Sequence, residues 1–506
     1  MILTELSELT KAVCDLFNCE KESIVDSVKN VIFSDRKNDI LSKYFDLIGG
    51  NLRTDELQKI FQYYYADRKE KCQDFTPQSI AKLLASEVVT GAESIYDMCA
   101  GSGALTIQAW AQNKDAIFYC EELDDNAVPV LLFNLALRNI FGYVVHRDVL
   151  TMEEKAVYQL TAGDRFSRIE RIPEAPEISA EAIISNPPYN IPWNAPGPLF
   201  ADKRFKKCTI PPASNANYAF VLTALDRLSE NGRCAFVLPS GALTSAGPDK
   251  EIRKYLCDNR LLEKVIALPG HMFEATDIPT CILAFSRGNR SVSFFDCRQK
   301  VEQEDREQTG QFGGASHTRR TYHKTVNVLP DELIDALCSP AEDIPGFSVL
   351  ASLNDIEKQE YILTPSRYIR PDIAPTEHRP YTDIIDDINR VSRERSILKI
   401  TVNETLARQL GLSEIAEVER QNPDLDKTFG IFGKKYESRH FIQLSKNKNE
   451  LKIENQDKEF FSSLLEIFIP MWKQHVYYLN HEENRLLMEL RDAMLPDLMS
   501  GKLQVS

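Results

Sequence analysis

The sequence predicts an α/β fold: a mostly parallel sheet with helices on both faces, flanked by a helical N-terminal region and a mainly helical C-terminal region. Two observations carry this. From Ser94 onward, short apolar runs of strand length alternate with stretches of helical period, the pattern of strands joined by crossover helices. Outside roughly residues 71–370 that alternation is absent and only helical spacing remains.

Over residues 1–70, Leu3, Leu6, Leu9, Val13 and Leu16 recur at helical spacing, and a second helix is expected near Arg53 to Tyr65. Strand Ser94–Met98 then leads through a glycine turn to a helix around Ala104–Ala111. Strand Ala116–Cys120 precedes a helix over about Asn126–Asn139. A third strand ends near His146-Arg147-Asp148. The series continues with strand Ala182–Ser185, helix Tyr218–Leu228, strand Cys234–Leu238, helix Ile252–Asp258 and strands Leu262–Leu268 and Thr280–Ser286. Val301–His317, rich in Glu, Gln and Gly, reads as a mobile loop outside the core. Pro371, Pro375 and Pro380 mark a linker. In the last segment, Leu486, Leu487, Leu490, Met494 and Leu498 form one stripe, suited either to docking another chain or to a bundle within this one.

The 506 residues, 43% hydrophobic and 27% charged, allow two to four domains with ample core. No apolar stretch is long enough to span a bilayer; Val128–Ile140 is interrupted by Asn134 and Arg138 and reads as a buried helix. The N-terminus lacks the pattern of a secretory signal, so a cytoplasmic location is expected, with no membrane partner. The cysteines are scattered, with no CxxC pair and no His or Cys cluster to complete a metal site; reduced, mostly buried thiols are expected. A formal charge of −15 argues against a chain that coats nucleic acid by itself. Nucleic-acid binding would need local basic patches or a basic partner.

Chemistry concentrates at successive strand ends, where ligands of open α/β sheets bind. Asn186-Pro187-Pro188-Tyr189 follows the apolar run Ala182–Ile184. Two prolines fix φ and remove two backbone donors, giving a stiff turn that presents carbonyl oxygens. An Asn amide, a proline carbonyl and an aromatic face held together can grip a planar ring with an exocyclic amine. Asp97-Met98-Cys99-Ala100-Gly101-Ser102-Gly103 joins the first strand to its helix; it is either a ligand-binding loop or a tight βα turn. The acidic pair Glu121 and Glu122 ends the next strand about 20 residues on, a spacing that suits a carboxylate accepting both ribose hydroxyls of a nucleoside cofactor. Leu105 and Thr106 stand where a dinucleotide motif carries its third glycine, which disfavours a pyrophosphate and leaves another nucleoside cofactor. Asp148 could accept from an adenine amino group.

These residues resemble the amino-methyltransferases that use S-adenosylmethionine (SAM) to methylate adenine N6 in DNA, in the gamma order. The closer resemblance is to the modification subunit of type I restriction-modification systems, over roughly residues 40–370. Tyr218-Ala219-Phe220-Val221, Gly232 to Gly241, Leu268 to Thr280 and Leu363 to Tyr368 add to it. The resemblance implies a Rossmann-like SAM-dependent methyltransferase domain at 71–370, between a helical region at 1–70 and a partner- or DNA-binding region at 371–506. It implies cofactor contacts from Asp74, Phe75, Thr76 and Pro77 (closing over the methionine part), Asp97, Ala100, Gly101, Ser102, Gly103, Glu122 (Glu121 being the competing register) and Asp148. It makes Asn186, Pro187, Pro188 and Tyr189 the catalytic motif. Two features depart from the family pattern: the N-terminal region is short, and the tail from Leu490 to Gly501 looks more like that of specificity subunits.

Such a site needs no metal and no covalent nucleophile. The target adenine must leave the duplex to be reached. His146 invites a general-base role, but a structural histidine is the plainer reading. Lys203, Arg204, Lys206 and Lys207, just after the catalytic loop, are candidates for phosphate contact, or a solvated charge run. Arg319, Arg320, His323 and Lys324 are weaker candidates. The acidic charge and the modest C-terminal region point to double-stranded DNA chosen by a partner specificity subunit, with a restriction subunit as a further candidate partner. The alternatives are a stand-alone enzyme with its own recognition region, a methyltransferase acting on RNA or protein, and a non-catalytic SAM-binding component.

Overall fold

The computed structural model describes residues 6–65, 76–193, 202–273, 277–310, 320–371, 379–409, 443–444, 451–452 and 474–499. The chain divides into two compact units, Met1–Pro371 and Asp372–Ser506.

The first unit opens with helices α1 (Leu6–Phe17), α2 (Ile24–Ile32), α3 (Lys37–Leu47) and α4 (Glu56–Tyr64), then α5 (Gln78–Val88). Their apolar faces pack into one core with the sheet: Val13, Val28, Leu41 and Tyr44 share a cluster with Leu131 and Phe133. The sheet is built from β1 (Ser94–Asp97), β2 (Ile117–Glu122), β3 (Gly142–Arg147), β4 (Glu154–Thr161), β5 (Arg168–Ile172), β6 (Ala180–Ser185), β7 (Leu228–Pro239), β8 (Leu262–Ala267), β9 (Thr280–Phe285), β10 (Ser291–Asp296) and, after a separate hairpin of β11 (Glu302–Gly310) and β12 (Arg320–Val328), β13 (Ser348–Ser352). The intervening helices are α6 (Ala104–Gln112), α7 (Ala127–Leu137), α8 (Asn217–Arg227), α9 (Pro248–Asp258), α10 (Asp331–Leu337) and α11 (Leu353–Lys358).

Across the sheet the order is β5-β4-β3-β2-β1-β6-β7-β9-β8-β10-β13. Its centre, β3-β2-β1-β6-β7, is parallel throughout. The antiparallel pairs β3–β4, β4–β5, β7–β9, β8–β9 and β10–β13 lie toward the flanks. The buried strands are apolar on both faces, as the almost unbroken burial of β6, β8 and β9 requires of a sheet covered on both sides. The chain runs outward through β1, β2 and β3, then returns to place β6 on the other side of β1. That reversal opens a crevice beyond the carboxyl ends of β1 and β6, where Asp97 pairs with Ile184.

Two expectations change. Val301–His317 reads as a loop, yet Glu302–Gly310 is a strand in register with Arg320–Val328. Its side chains are polar on both faces, so period-two alternation gives no signal. The buried helix α7 holds, and the residues that interrupt its apolar run have a use. Arg138, just past its end, donates to the carbonyls of Leu52 (2.8 Å) and Thr54 (2.7 Å). Asn134 donates to the Ser102 carbonyl (2.9 Å). Together they tie the N-terminal helices to the first βα turn.

In the second unit, α12 (Tyr381–Gln409) packs against α13 (Asn480–Met499), with Val391, Leu479 and Leu486 forming a small core. Arg379 donates to Glu489 (2.8 Å) and Arg395 pairs with Glu483. The leucine stripe is thus partly used within the unit, through Leu486 and the neighbouring Ala493, while Leu487 stays exposed. Leu498 lies where no side chain is described. Among the described residues, no helix is long and apolar enough to cross a membrane.

Candidate active site

The first βα turn shapes one wall of the crevice. Gly101 (φ 55°) and Gly103 (φ 103°) adopt left-handed backbone that favours glycine, and a Cβ at Gly103 would press on Leu131 Cδ1 at 3.1 Å. The Ala100 N–H donates to the Glu121 carbonyl at 3.0 Å, and the Gly103 N–H to the Ala100 carbonyl at 2.8 Å. The Ser102 hydroxyl turns inward and donates to Asp55 Oδ2 at 2.8 Å. Asp55 also caps α4, so the Ser102 side chain anchors the loop and is not offered to a ligand. What the loop presents is backbone.

The two registers at the end of β2 separate cleanly. Glu121 is fully buried; its Oε2 accepts from Tyr96 O–H (2.9 Å) and from Arg227 (2.8 Å), and Arg147 Nε lies 3.6 Å from Oε1. Glu122 faces the glycine turn, accepting from the N–H groups of Gly101 (2.7 Å), Leu123 (2.9 Å) and Asp124 (2.8 Å). Burial pushes its carboxyl above the usual carboxylate range, and those N–H bonds act in the opposite direction. With three backbone bonds already accepted, about one of a carboxylate's roughly four acceptor positions remains for a ligand. A contact to a single hydroxyl fits this better than a bidentate one.

Asp97, at the end of β1, is buried and accepts from Thr106 O–H at 2.7 Å through Oδ2. Its Oδ1 lacks a well-formed hydrogen bond; the backbone N–H groups of Cys99 and Thr106 moderate its charge. Burial dominates and pushes the carboxyl up to about 7. The folded state therefore keeps a proton that the unfolded chain loses near pH 4. Asp97 thus contributes a loss of stability to the ligand-free protein as pH rises from about 4 to about 7, because in that window its native state holds more of the proton. Asp97→Asn should remove this contribution, making the difference between urea midpoints at pH 5 and pH 8 smaller than in the wild type; an unchanged difference would assign no such proton to Asp97.

Asp148 follows β3 and holds its own turn, accepting from the N–H groups of Leu150 (2.8 Å) and Thr151 (3.3 Å). His146 Nε2 meets the Leu123 carbonyl at 3.0 Å, and burial lowers its pKa. It braces the loop beyond Glu122, the structural role.

On the other wall, β6 delivers Asn186-Pro187-Pro188-Tyr189. Asn186 Nδ2 donates to Thr76 Oγ1 at 3.0 Å, and Tyr189 O–H donates to Asn186 Oδ1 at 2.7 Å. The Tyr189 ring meets Phe273 edge-on, 6.0 Å between centroids. Beyond it Asn190 takes a left-handed conformation (φ 54°) and exchanges two bonds with Asn217: its N–H donates to Asn217 Oδ1, and Asn217 Nδ2 donates to its Oδ1, each at 3.0 Å. The Ala216 N–H reaches the Ile191 carbonyl at 2.9 Å. This clamp at the start of α8 fixes where the turn ends. Sequence reading passed over Asn217; the signal available was a buried amide at a helix start, 27 residues from its partner.

The basic run divides. Arg204 is not a surface cation: it donates to Asp202, to the carbonyls of Val149 and Leu150 (both 3.1 Å), and its guanidinium lies over Phe205. It ties its turn to the Asp148 loop, so phosphate contact by Arg204 is ruled out in this arrangement. Lys203 pairs with Asp226 at 3.0 Å but is exposed, as are Lys206 and Lys207. Asp74, Phe75 and Arg319 lie outside the described residues, as do the side chains of Arg320, His323 and Lys324. Among the described residues, no group of His, Cys, Asp and Glu could hold a metal, and the described cysteines are free thiols.

Residues 51–376 match the N-6 DNA methylase family. The chain belongs to that family. Curated relatives include the type I restriction enzyme MpnII methylase subunit of Mycoplasma pneumoniae, 28% identical over 320 residues, covering 60% of this chain and 54% of that one. The HindI methylase subunit of Haemophilus influenzae is 25% identical over 379 residues, covering 71% and 78%. The MjaIX methylase subunit of Methanocaldococcus jannaschii is 26% identical and covered to 51%. The chain thus spans about half the length of two of these three relatives. Among solved structures, a type I restriction-modification methyltransferase subunit from Streptococcus thermophilus shares the fold, with a TM-score of 0.50, 22% identity and coverage of 72% and 79%. For an N-6 DNA methylase, the fold places both motifs at the switch point of a methyltransferase sheet.

Proposed function

We propose that this chain transfers a methyl group from SAM to N6 of a flipped-out adenine in double-stranded DNA, as the modification subunit of a type I system. One observation carries this reading: the Asn186 carboxamide is held between two hydroxyls at the switch point, across the crevice from the glycine turn and Glu122.

SAM fits the residues present. Glycine backbone allows close approach, Glu122 can accept from a ribose hydroxyl, and the buried Asp97 Oδ1 offers an acceptor toward a cationic ligand. Thr76, Pro77, Ala100 and Asp148 are the further residues the reading assigns to the cofactor. When bound, SAM supplies an activated methyl group and a good leaving group. The protein's work is placement. An exocyclic adenine nitrogen is a weak nucleophile because its lone pair is delocalised. Accepting its N–H bonds at the Asn186 side-chain oxygen and the Pro187 carbonyl localises that pair and stabilises the positive charge that develops. Pro188 stiffens the turn, and the Tyr189 ring supplies a stacking face worth roughly 1–3 kcal/mol in nucleic-acid binders. The Asn186 oxygen, which already accepts from the Tyr189 hydroxyl, has a second lone pair for the N6–H of the entering base.

Choice of sequence would come from a specificity subunit, with a restriction subunit as a further partner, because a chain of charge −15 has little basic surface of its own. Lys206 and Lys207 are the best-placed exposed cations for phosphate contact. Replacing both with glutamate should weaken DNA binding across sequences and reduce the salt slope by about 1 per lysine; an unchanged slope would remove them from the interface. The function itself is tested by incubating the complex isolated from native cells with tritiated SAM and DNA, RNA or protein. Label on DNA adenine is expected, and label confined to RNA or protein would overturn the assignment.

A further inference from the structure

We propose that Thr76 is a positioning residue for methyl transfer: it fixes which end of the Asn186 carboxamide faces the target base. This rests on the methyltransferase reading above and adds a role that the family resemblance, which puts Thr76 against the cofactor, does not supply.

A carboxamide carries an acceptor at one end and two donors at the other, and the torsion that exchanges them is broad and nearly two-fold. Only one orientation serves the reaction. The oxygen must face the incoming amine; turned around, the amide would present N–H to N–H and oppose the charge that builds on the nucleophile. In the structure two hydroxyls are among the groups that hold it, Tyr189 at Oδ1 and Thr76 at Nδ2. The Tyr189 bond takes one of the two acceptor positions of the oxygen the substrate needs, so it competes with the incoming amine. The Thr76 contact lies at the other end of the amide and leaves both positions open.

Thr76 is well placed for this. It is 7% exposed and sits immediately before Pro77, the N-cap of α5, with φ −59° and ψ 146°. That helix is locked from below: Glu87 near its end takes Lys264 (2.8 Å) and Arg233 (2.7 Å) from neighbouring strands. The hydroxyl thus stands on a rigid element, 110 residues away in sequence from the amide it orients.

The test is Thr76→Val, which keeps the shape and removes the hydroxyl, beside Thr76→Ser, which keeps it. In the complex from native cells, single-turnover methylation at saturating SAM should slow by about 10- to 100-fold in T76V, the scale of one lost charge-orienting contact. The SAM dissociation constant should stay within about threefold, below the change expected for a lost direct hydrogen bond. T76S should recover most of the rate. If T76V instead weakens SAM binding and reaches the wild-type rate once SAM saturates, Thr76 is a cofactor contact and the proposal fails. A wild-type rate and affinity in T76V would overturn it equally. Should T76V fold poorly, Thr76→Ala is judged by the same two numbers. A wild-type complex that never methylates adenine would sink the function, a separate result from either of these.

Discussion

Asn186→Ala should lower methyl transfer by at least about 10²–10³-fold while leaving SAM affinity close to wild type, because it deletes an acceptor that acts on charge appearing only as the reaction proceeds. The side chain is half-buried and bonds to the Thr76 and Tyr189 hydroxyls, each bond worth about 0.5–1.5 kcal/mol, so the variant should lose a few kcal/mol of stability at most. The Pro187 carbonyl stays in place and accounts for any residual rate. Single-turnover methylation and calorimetric SAM binding, measured on the same preparation, separate the two quantities. Loss of SAM binding in step with activity would make Asn186 part of the cofactor pocket and not of the catalytic turn.

The second large effect concerns adjacent glutamates with opposite duties. Glu121→Ala removes the acceptor that compensates Arg227 and faces Arg147, both nearly buried, and strips Tyr96 of its partner. Breaking a buried pair this way costs about 3–5 kcal/mol, most of it from charge left behind. Glu122→Gln leaves that network untouched. It should instead weaken SAM binding by roughly tenfold, the scale of one hydrogen bond to a charged group. Denaturant midpoints and SAM titrations on both variants give the comparison. Were Glu121→Ala to fold normally and lose SAM, the assignment of Glu122 to the ribose would have to be exchanged for Glu121.

These two glutamates also show what a sequence can and cannot reveal. The apolar runs of β1, β2 and β6 and the glycine turn between β1 and α6 follow from local pattern, and they alone put the Asn186 turn beside the glycine turn. Which of Glu121 and Glu122 faces the crevice depends on Arg227 and Arg147, brought there by α8 and β3. No local pattern encodes that pairing. Arg204 belongs to a charge run in the sequence, yet Asp202 and the Val149 and Leu150 carbonyls fold it away from solvent. Asn134 and Arg138 look like flaws in an apolar helix until the N-terminal helices bring the carbonyls of Leu52 and Thr54 to meet Arg138. The strands β4, β5, β10 and β13 went unread, the first two because their exposed faces dilute the apolar signal. For the glutamates, Arg204 and Arg138 the missing information is a contact between residues far apart in the chain.

The central claim is that the Asn186 turn methylates adenine N6 in DNA at sites a partner selects. The most direct measurement is genome-wide sequencing of modified bases in native cells carrying the wild-type gene, a deletion, or the Asn186→Ala variant. The account predicts N6-methyladenine at one defined recognition sequence in the wild type, and its loss from those sites in the other two. Methylation that persists at those sites in the Asn186→Ala cells would contradict it.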